Sequence, residues 1–573
     1  MFVRALTVTA VAAAVGAPAA AARDPIVPLS EIHRGMTCTA RTVVQGTTIS
    51  DFGVEVLDVV DDVDGSGPRI LVRVSGDAVA GSGIASGFSG SPVYCARPDG
   101  TIGNAGAVSA TIGQYGNDVG LVTPIESMLK LPRRPPSGAR TLPRAAAASV
   151  RPVATPLTIG GLSPALGRLV ERSARAAGRT IVAAPAGPLA TFAPQPLVPG
   201  AAMGAAYASG ALALSAIGTV TYRDGDTVWG FGHQFDGVGR RALTLQDAYV
   251  YTVVDNPNDT SEQTSYKLAS PGHALGVLSN DAASAVVGGV GGKAPTIPVT
   301  VAVRDRDRRA TVTQRTLVAD ESAVGDPLGH GLLPTIAPLA LMQAVTKAFE
   351  GAPARESGRL CLTVRLRESR APLRFCDRYV VNGADTGGVP GLALAMGNDV
   401  TNALTAIDSA RYTALHVTSV RAEVAFERGL RLATIRSVSG PARVRRGERV
   451  RLRLRVREDR GPLRTIPLTL TVPRDAPLGE RTLTLAGTAL DSAASDGDTI
   501  TIVLDAGGGD GGGDGSGGGG AQTFAQVKAG FGAAQRWDGV TARLGKLRWR
   551  ALRDPRLRID GRGQLTLRVV RGG

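Results

Sequence analysis

Strand-length runs of Val, Thr, Ala and Leu, each cut short by Gly, Pro or Asp, recur along nearly the whole chain and leave little room for anything but β-structure. FGVEVLDVV alternates apolar and polar residues, DDVDGSGPR interrupts it as a turn, and ILVRV resumes the pattern; further on, TYRDGDTV places Asp224-Gly225 at a tight hairpin. Aromatics make up only 4% of the 573 residues, so the strands must pack through small side chains, and a chain of this length must divide into several domains. The expected class is mainly β.

Composition sets the expected boundaries. Residues 1–22 carry one Arg, an apolar stretch from Ala5 to Val15 and the small residues Ala20-Ala21-Ala22, the order of a secretory signal peptide cleaved after Ala22. That stretch is short for a bilayer span, is followed by Gly16 and Pro18, and no later segment is long and apolar enough to replace it. The mature chain is therefore expected to be secreted or associated with the cell envelope. Residues 23–131 read as a compact β unit closing with GLVTPIESMLKL, where Thr123 caps and Pro124 starts a short helix. Residues 132–155, rich in Pro, Arg and Ala, read as a linker, and 156–303 as a second β unit. Residues 304–357 form a helical connector, with a helix from Pro338 to Phe349. Residues 358–505 show the strand pattern of an immunoglobulin-like sandwich, 506–520 a Gly/Asp tether, and 521–573 a basic C-terminal segment.

Four cysteines, an even number, suit an oxidising compartment and two disulfides. Cys361 and Cys376 flank a polar turn between two β-like runs, where a cross-strand bridge is easily made, and Cys38 with Cys95 follows by elimination. No close Cys/His cluster points to zinc; DDVDGSG lacks the closing Glu of a calcium loop, and the Gly/Asp tether lacks the apolar position of calcium-binding repeats. No metal and no cofactor are expected. Lys and Arg exceed Asp and Glu by 15, yet the arginines are scattered through strand patterns without interleaved aromatics. They read as solvated strand faces and not as a specific nucleic-acid site; LGKLRWRALRDPRLRIDGRG is dense enough to touch an anionic envelope polymer.

GIASGFSGSPVY, Gly83 to Tyr94, puts two serines beside conformationally free glycines where strand should continue. A nucleophilic serine needs a tight turn with backbone N–H groups free to hold an oxyanion. In Gly87-Phe88-Ser89-Gly90-Ser91-Pro92, Gly87 can turn amides inward, Gly90 leaves space behind Ser89 and Pro92 starts the next strand. The bland alternative is a Gly/Ser loop between strands.

PLSEIHRGM, FGVEVLDVV, ILVRVSG, GIASGFSGSPVY and GLVTPIESML resemble, in order and spacing, the SpoIVB-type serine peptidase domain; AIGTVTYRDGDTVWGFGH and SYKLASPGHALGVLSND resemble later segments of that family. The resemblance covers roughly residues 25–130 and, less closely, 205–295. It implies a chymotrypsin-like double β-barrel endopeptidase, here with permuted halves, because the histidine segment follows the serine segment instead of preceding it. It also implies Ser89 as nucleophile, the Gly87 and Ser89 amides as oxyanion hole, and His233, at the end of VWGFGH, as general base. Among the five histidines His273 is the alternative. Asp77 stands near the family's orienting acid but slightly offset from it, Asp236 is a local candidate, and Gln234 occupies a position where related sequences usually carry Pro. The expected substrate is a protein or peptide cleaved through an acyl-enzyme. The rival expectation is an inactive peptidase-like envelope protein that binds rather than cuts.

Overall fold

The computed structural model describes residues 23–572 except 62–66, 113–116, 137–149, 153–156, 177–180, 185–191, 257–264, 329, 350, 354, 383–386, 411–414, 489–522, 534–537 and 555–556. The signal-peptide segment, most of the DDVDGSG turn and the Gly/Asp tether lie outside the described residues.

The first unit contains β1 (Thr37–Gln45), β2 (Thr48–Val60), β3 (Arg69–Ser75), β4 (Pro92–Ala96), β5 (Ile102–Ile112) and β6 (Val119–Pro124). They pair antiparallel in the order β4-β1-β2-β3-β6-β5, and β5 returns to β4, which closes a six-stranded barrel. The alternation of FGVEVLDVV is realised here: Phe52, Val54 and Val56 point into the barrel with Val72, Val74 and Phe88. Cys38 and Cys95 face each other on β1 and β4 and are bonded. Helix α1 (Ile125–Leu129) follows Pro124, as the sequence suggests, but Thr123 does not cap it; its hydroxyl donates to the Gly232 carbonyl at 2.6 Å. The short β7 (Val150–Pro152), within the expected linker, adds to β5.

The second unit begins with β8 (Leu157–Gly160), helix α2 (Pro164–Ala176) and β9 (Ile181–Ala183). It continues through β10 (Ala202–Gly210), β11 (Ala213–Asp224), β12 (Thr227–Gly230), β13 (Gly239–Val254), β14 (Tyr266–Ala282), β15 (Ala285–Val290), β16 (Thr296–Asp305) and β17 (Ala310–Ala319). Strands β10, β13, β14, β15, β12 and β11 pair in that cycle, a second closed six-stranded antiparallel ring. The β11–β12 turn holds Gly225 at φ 56°, the conformation that the Asp-Gly signal requires. Four threonines and an asparagine stitch the rings together: Asn104 donates to the Thr221 carbonyl, Thr221 to the Gly90 carbonyl, Thr123 to Gly232, and the Thr42 and Thr219 hydroxyls meet.

Helix α3 (Leu333–Phe349) starts five residues before the expected Pro338 and carries that proline inside. Nearly every residue of it is buried, so tertiary packing outweighs the one backbone hydrogen bond a proline forfeits. Next come β18 (Arg355–Leu366), β19 (Leu373–Asn382), helix α4 (Gly391–Asp408) and β20 (Val417–Arg428), which lengthen the second unit's sheet in the order β19-β18-β20-β16-β17. Cys361 and Cys376 are bonded across the β18–β19 pair. The bridges enclose separations of 57 and 15 residues, so by chain entropy they stabilise the fold by about 4 and about 3 kcal/mol.

The sandwich therefore does not start at residue 358. It is built from β21 (Leu432–Ser439), β22 (Arg443–Arg445), β23 (Arg449–Glu458), β24 (Leu463–Thr471) and β25 (Gly479–Ala486). After helix α5 (Phe524–Ala533), β26 (Gly539–Leu544), β27 (Leu547–Arg553), β28 (Arg558–Asp560) and β29 (Arg562–Val570) complete it. The sheets run β24-β23-β21-β28 and β22-β29-β25-β26-β27 and share one apolar core. The basic C-terminal segment is thus half of the sandwich, because Leu483, Leu485, Val540, Ala542 and Ile559 can be buried only together. Among the described residues no helix is long and apolar enough to cross a membrane.

Candidate functional site

The GFSGSP turn enters β4 between the two rings. Gly87 and Gly90 both adopt φ 92°, which an L side chain resists. At Gly90 there is also no room: a Cβ would stand 2.0 Å from the Thr219 carbonyl oxygen and 2.5 Å from the Phe231 nitrogen. The turn is pinned by its own backbone, with Phe88 N–H donating to Ala85 O, Ser91 N–H to Phe88 O and Gly90 N–H to Val108 O at 2.8–2.9 Å. The Ser91 hydroxyl donates to Phe88 O at 2.6 Å, which makes Ser91 part of the turn's scaffold.

Ser89 is different. Its Oγ is buried and, among the described residues, makes no hydrogen bond. The Gly87 and Ser89 amides likewise have no acceptor among the described residues, whereas those of Ser86, Phe88, Gly90 and Ser91 all have one. Buried donors are almost always satisfied. Amides without an acceptor among the described residues at Gly87 and Ser89, on either side of the satisfied Phe88 amide, are donors that an arriving oxyanion could complete.

Thr219 on β11 fixes the turn from behind: its N–H donates to Ser89 O at 2.9 Å and its hydroxyl to Gly87 O at 3.1 Å. Its carbonyl accepts from Phe231 N–H at 3.3 Å, so the same residue holds the segment that delivers His233. Phe231 and Gly232, at φ 68° and 70°, make the bend between β12 and His233. His233 is 7% exposed, and its Nδ1 lies 2.5 Å from the carbonyl oxygen of Gln234. With the proton on Nδ1 that contact is a hydrogen bond, and the Nε2 lone pair is then left as the base. In this structure Ser89 Oγ and His233 Nε2 are not hydrogen-bonded to one another.

The loop after His233 is held by a buried charge cluster. The Asp281 carboxylate accepts the N–H groups of Phe235, Asp236 and Gly237 at 2.8 Å each. Asp236 binds Tyr207 and Arg241, and Arg241 makes a two-pronged pair with Glu321 at 2.8 Å. Asp236 is thus tied to the guanidinium and the phenol, as a clamp on the loop.

Asp77 stands exposed on the short turn Asp77–Val79, lining a groove of about 510 Å³ with Ser75, Gly81, Gly83 and Asp118. His273 does carry a buried acid, with Nδ1 3.0 Å from Asp247, but it sits on β14 six residues beyond Lys267. Six strand residues are about 20 Å of chain.

Lys267 escapes sequence reasoning. Its amine is wholly buried, 2.7 Å from the Thr42 hydroxyl, 3.2 Å from the Thr219 hydroxyl and 4.9 Å from the Phe88 ring centre, while its methylenes pack on Gly87. Burial lowers its pKa from 10.5 to about 7. A folded-state pKa below the unfolded one means stability that is complete above pH 10.5 and is lost as pH falls through 7. Between those limits wild type should gain on the order of 1 kcal/mol per pH unit over Lys267→Met. Urea unfolding of both at pH 7.5 and 9.5 checks this; parallel curves would contradict it.

No family model, no curated protein and no solved structure matches this chain.

Proposed function

We propose that the protein is an exported serine endopeptidase of SpoIVB type, built as a chymotrypsin-like double barrel with permuted halves. The observation that carries this reading is the Ser89 hydroxyl and the Gly87 and Ser89 amides, none of which has a partner among the described residues, in a turn clamped between two closed six-stranded rings. Ser89 Oγ attacks a peptide carbonyl, and His233 Nε2 takes its proton. The two amides hold the oxyanion, the protonated imidazole gives its proton to the leaving amine, and water then releases the acyl group from Ser89. The Gln234 carbonyl keeps the imidazole in the required tautomer. Asp77, the carboxylate that the family resemblance proposes for this task, is exposed on its own turn, and the Nδ1 position is taken by the Gln234 carbonyl instead.

Ser89 is wholly buried, so attack requires the turn to open toward the substrate. The same burial supports the second reading, a peptidase-like binding protein without turnover. The two disulfides support export. Incubating residues 23–573 with an unstructured protein substrate separates the readings: hydrolysis by wild type that disappears in Ser89→Ala supports the peptidase, and no hydrolysis by wild type overturns it.

A further inference from the structure

The two sandwich segments, 432–486 and 539–573, hold 23 Lys and Arg against 7 Asp and Glu, an excess of 16, when the whole chain has an excess of 15. Essentially all of the chain's net charge therefore belongs to the sandwich, and all but one of those 23 cations are arginine.

Strand β23 concentrates it. RVRLRLRVRE alternates so strictly that Val450, Leu452, Leu454 and Val456 are buried, while Arg449, Arg451, Arg453, Arg455 and Arg457 are exposed on one face. None of these five has a salt bridge among the described residues, although arginines elsewhere on the surface do, such as Arg464 with Glu458. Side chains two residues apart on an antiparallel strand are about 7 Å apart, so the guanidinium groups form a ladder about 27 Å long. Five like charges at that spacing cost the fold something in self-repulsion, which an anion along the row would relieve.

The register supplies further donors beside the ladder. Arg455 is flanked by Ser437 and Thr465, Arg453 by Ser439, Arg451 by Thr469 and Arg449 by Thr471. A carboxylate has its lone pairs in one plane and is satisfied by one guanidinium fork. A tetrahedral phosphate presents oxygens in several directions and can accept from the fork and from hydroxyls on either side. No aromatic residue lies on β21, β23 or β24, so a single-stranded nucleic acid would find nothing on which to stack its bases.

We infer that the outer face of β23 and its two neighbours binds a linear phosphodiester polymer without bases, such as a polyol-phosphate chain, laid along the row of five arginines. Binding should be strong at low salt and fall steeply as salt rises, since each phosphate engaged releases counterions. The seat is independent of Ser89 and would hold the protein on an anionic polymer whether or not the barrels cut peptides.

The test measures binding of end-labelled poly(glycerol phosphate) to residues 23–573 by fluorescence anisotropy. Arg451→Gln/Arg453→Gln/Arg455→Gln should weaken it at least about tenfold at 0.1 M salt. Arg443→Gln/Arg543→Gln/Arg568→Gln, which removes the same charge from exposed positions of the other sheet, should change it less than about twofold. Arg453→Gln alone should show a smaller loss in the same direction, should the triple variant fold poorly. Equal loss in both triples would reduce the effect to net charge and overturn the proposal. So would absence of binding, or binding of poly-L-glutamate or single-stranded DNA of matched charge as tight as that of the polyol phosphate.

Discussion

Removing Ser89, removing His233 and removing both are expected to cost the same. Each single alanine variant should lose hydrolysis of an unstructured protein by roughly 10⁴-fold or more, and the double variant should be no worse than either. The reason is that the two side chains share one step: without the base the hydroxyl stays a poor nucleophile, and without the hydroxyl the base has no proton to take. What survives should come from the Gly87 and Ser89 amides, which depend on the turn's backbone and not on either side chain. Ser91→Ala is the informative neighbour. Its hydroxyl is committed to Phe88 O, so it should cost stability of about 1 kcal/mol while leaving far more activity than Ser89→Ala. Additive losses in the Ser89/His233 double variant would show that the two residues do not work as a unit.

Arg241→Met should be the most destabilising substitution near the site, by about 3–5 kcal/mol, read as a drop in the unfolding midpoint of the barrel unit. Arg241 is 2% exposed and faces three carboxylates, Asp236, Asp281 and Glu321, in the buried interior. Methionine restores most of the volume but leaves those carboxylates uncompensated, and they, not the lost attraction, set the cost. The effect reaches the site because Asp281 holds three successive amides of the loop that begins at His233 and Asp236 holds Tyr207. A change below about 1 kcal/mol would mean that this cluster is not what fixes the loop.

Much of this was legible in local sequence. Alternation in FGVEVLDVV gave strand β2 and its buried face, Asp224-Gly225 gave the hairpin, and the spacing of Cys361 and Cys376 gave a bridge whose partners do stand opposite in register. The GFSGSP turn put Ser89 forward over Ser91, whose hydroxyl the structure holds on Phe88 O. What local pattern could not supply was pairing across long separations. β21 finds β28 more than 100 residues away, and β25 pairs with β26 and β29 across the tether, so the basic C-terminal segment read as an appendage when it is structural. Helix α4, within the stretch read as continuous sandwich strands, was missed although Asn398, Asn402, Thr405 and Asp408 line one exposed face at helical spacing, because its first half, GLALAMG, is buried, apolar and Gly-containing without that period. Lys267 was invisible because nothing in YKLAS distinguishes an alternating surface lysine from one driven into the gap between two barrels. The five arginines of β23 were visible in the sequence; their sharing one unpaired face became meaningful only with the register.

The central claim is that Ser89 is a nucleophile, and the most direct measurement is covalent labelling of residues 23–573 with a fluorophosphonate, the adduct being located by peptide mass spectrometry. A single adduct is expected on the peptide carrying Ser89, absent in Ser89→Ala and strongly slowed in His233→Ala, since phosphonylation needs both the hydroxyl and the base that activates it. No adduct on Ser89, under conditions that label a known serine peptidase completely, would contradict it.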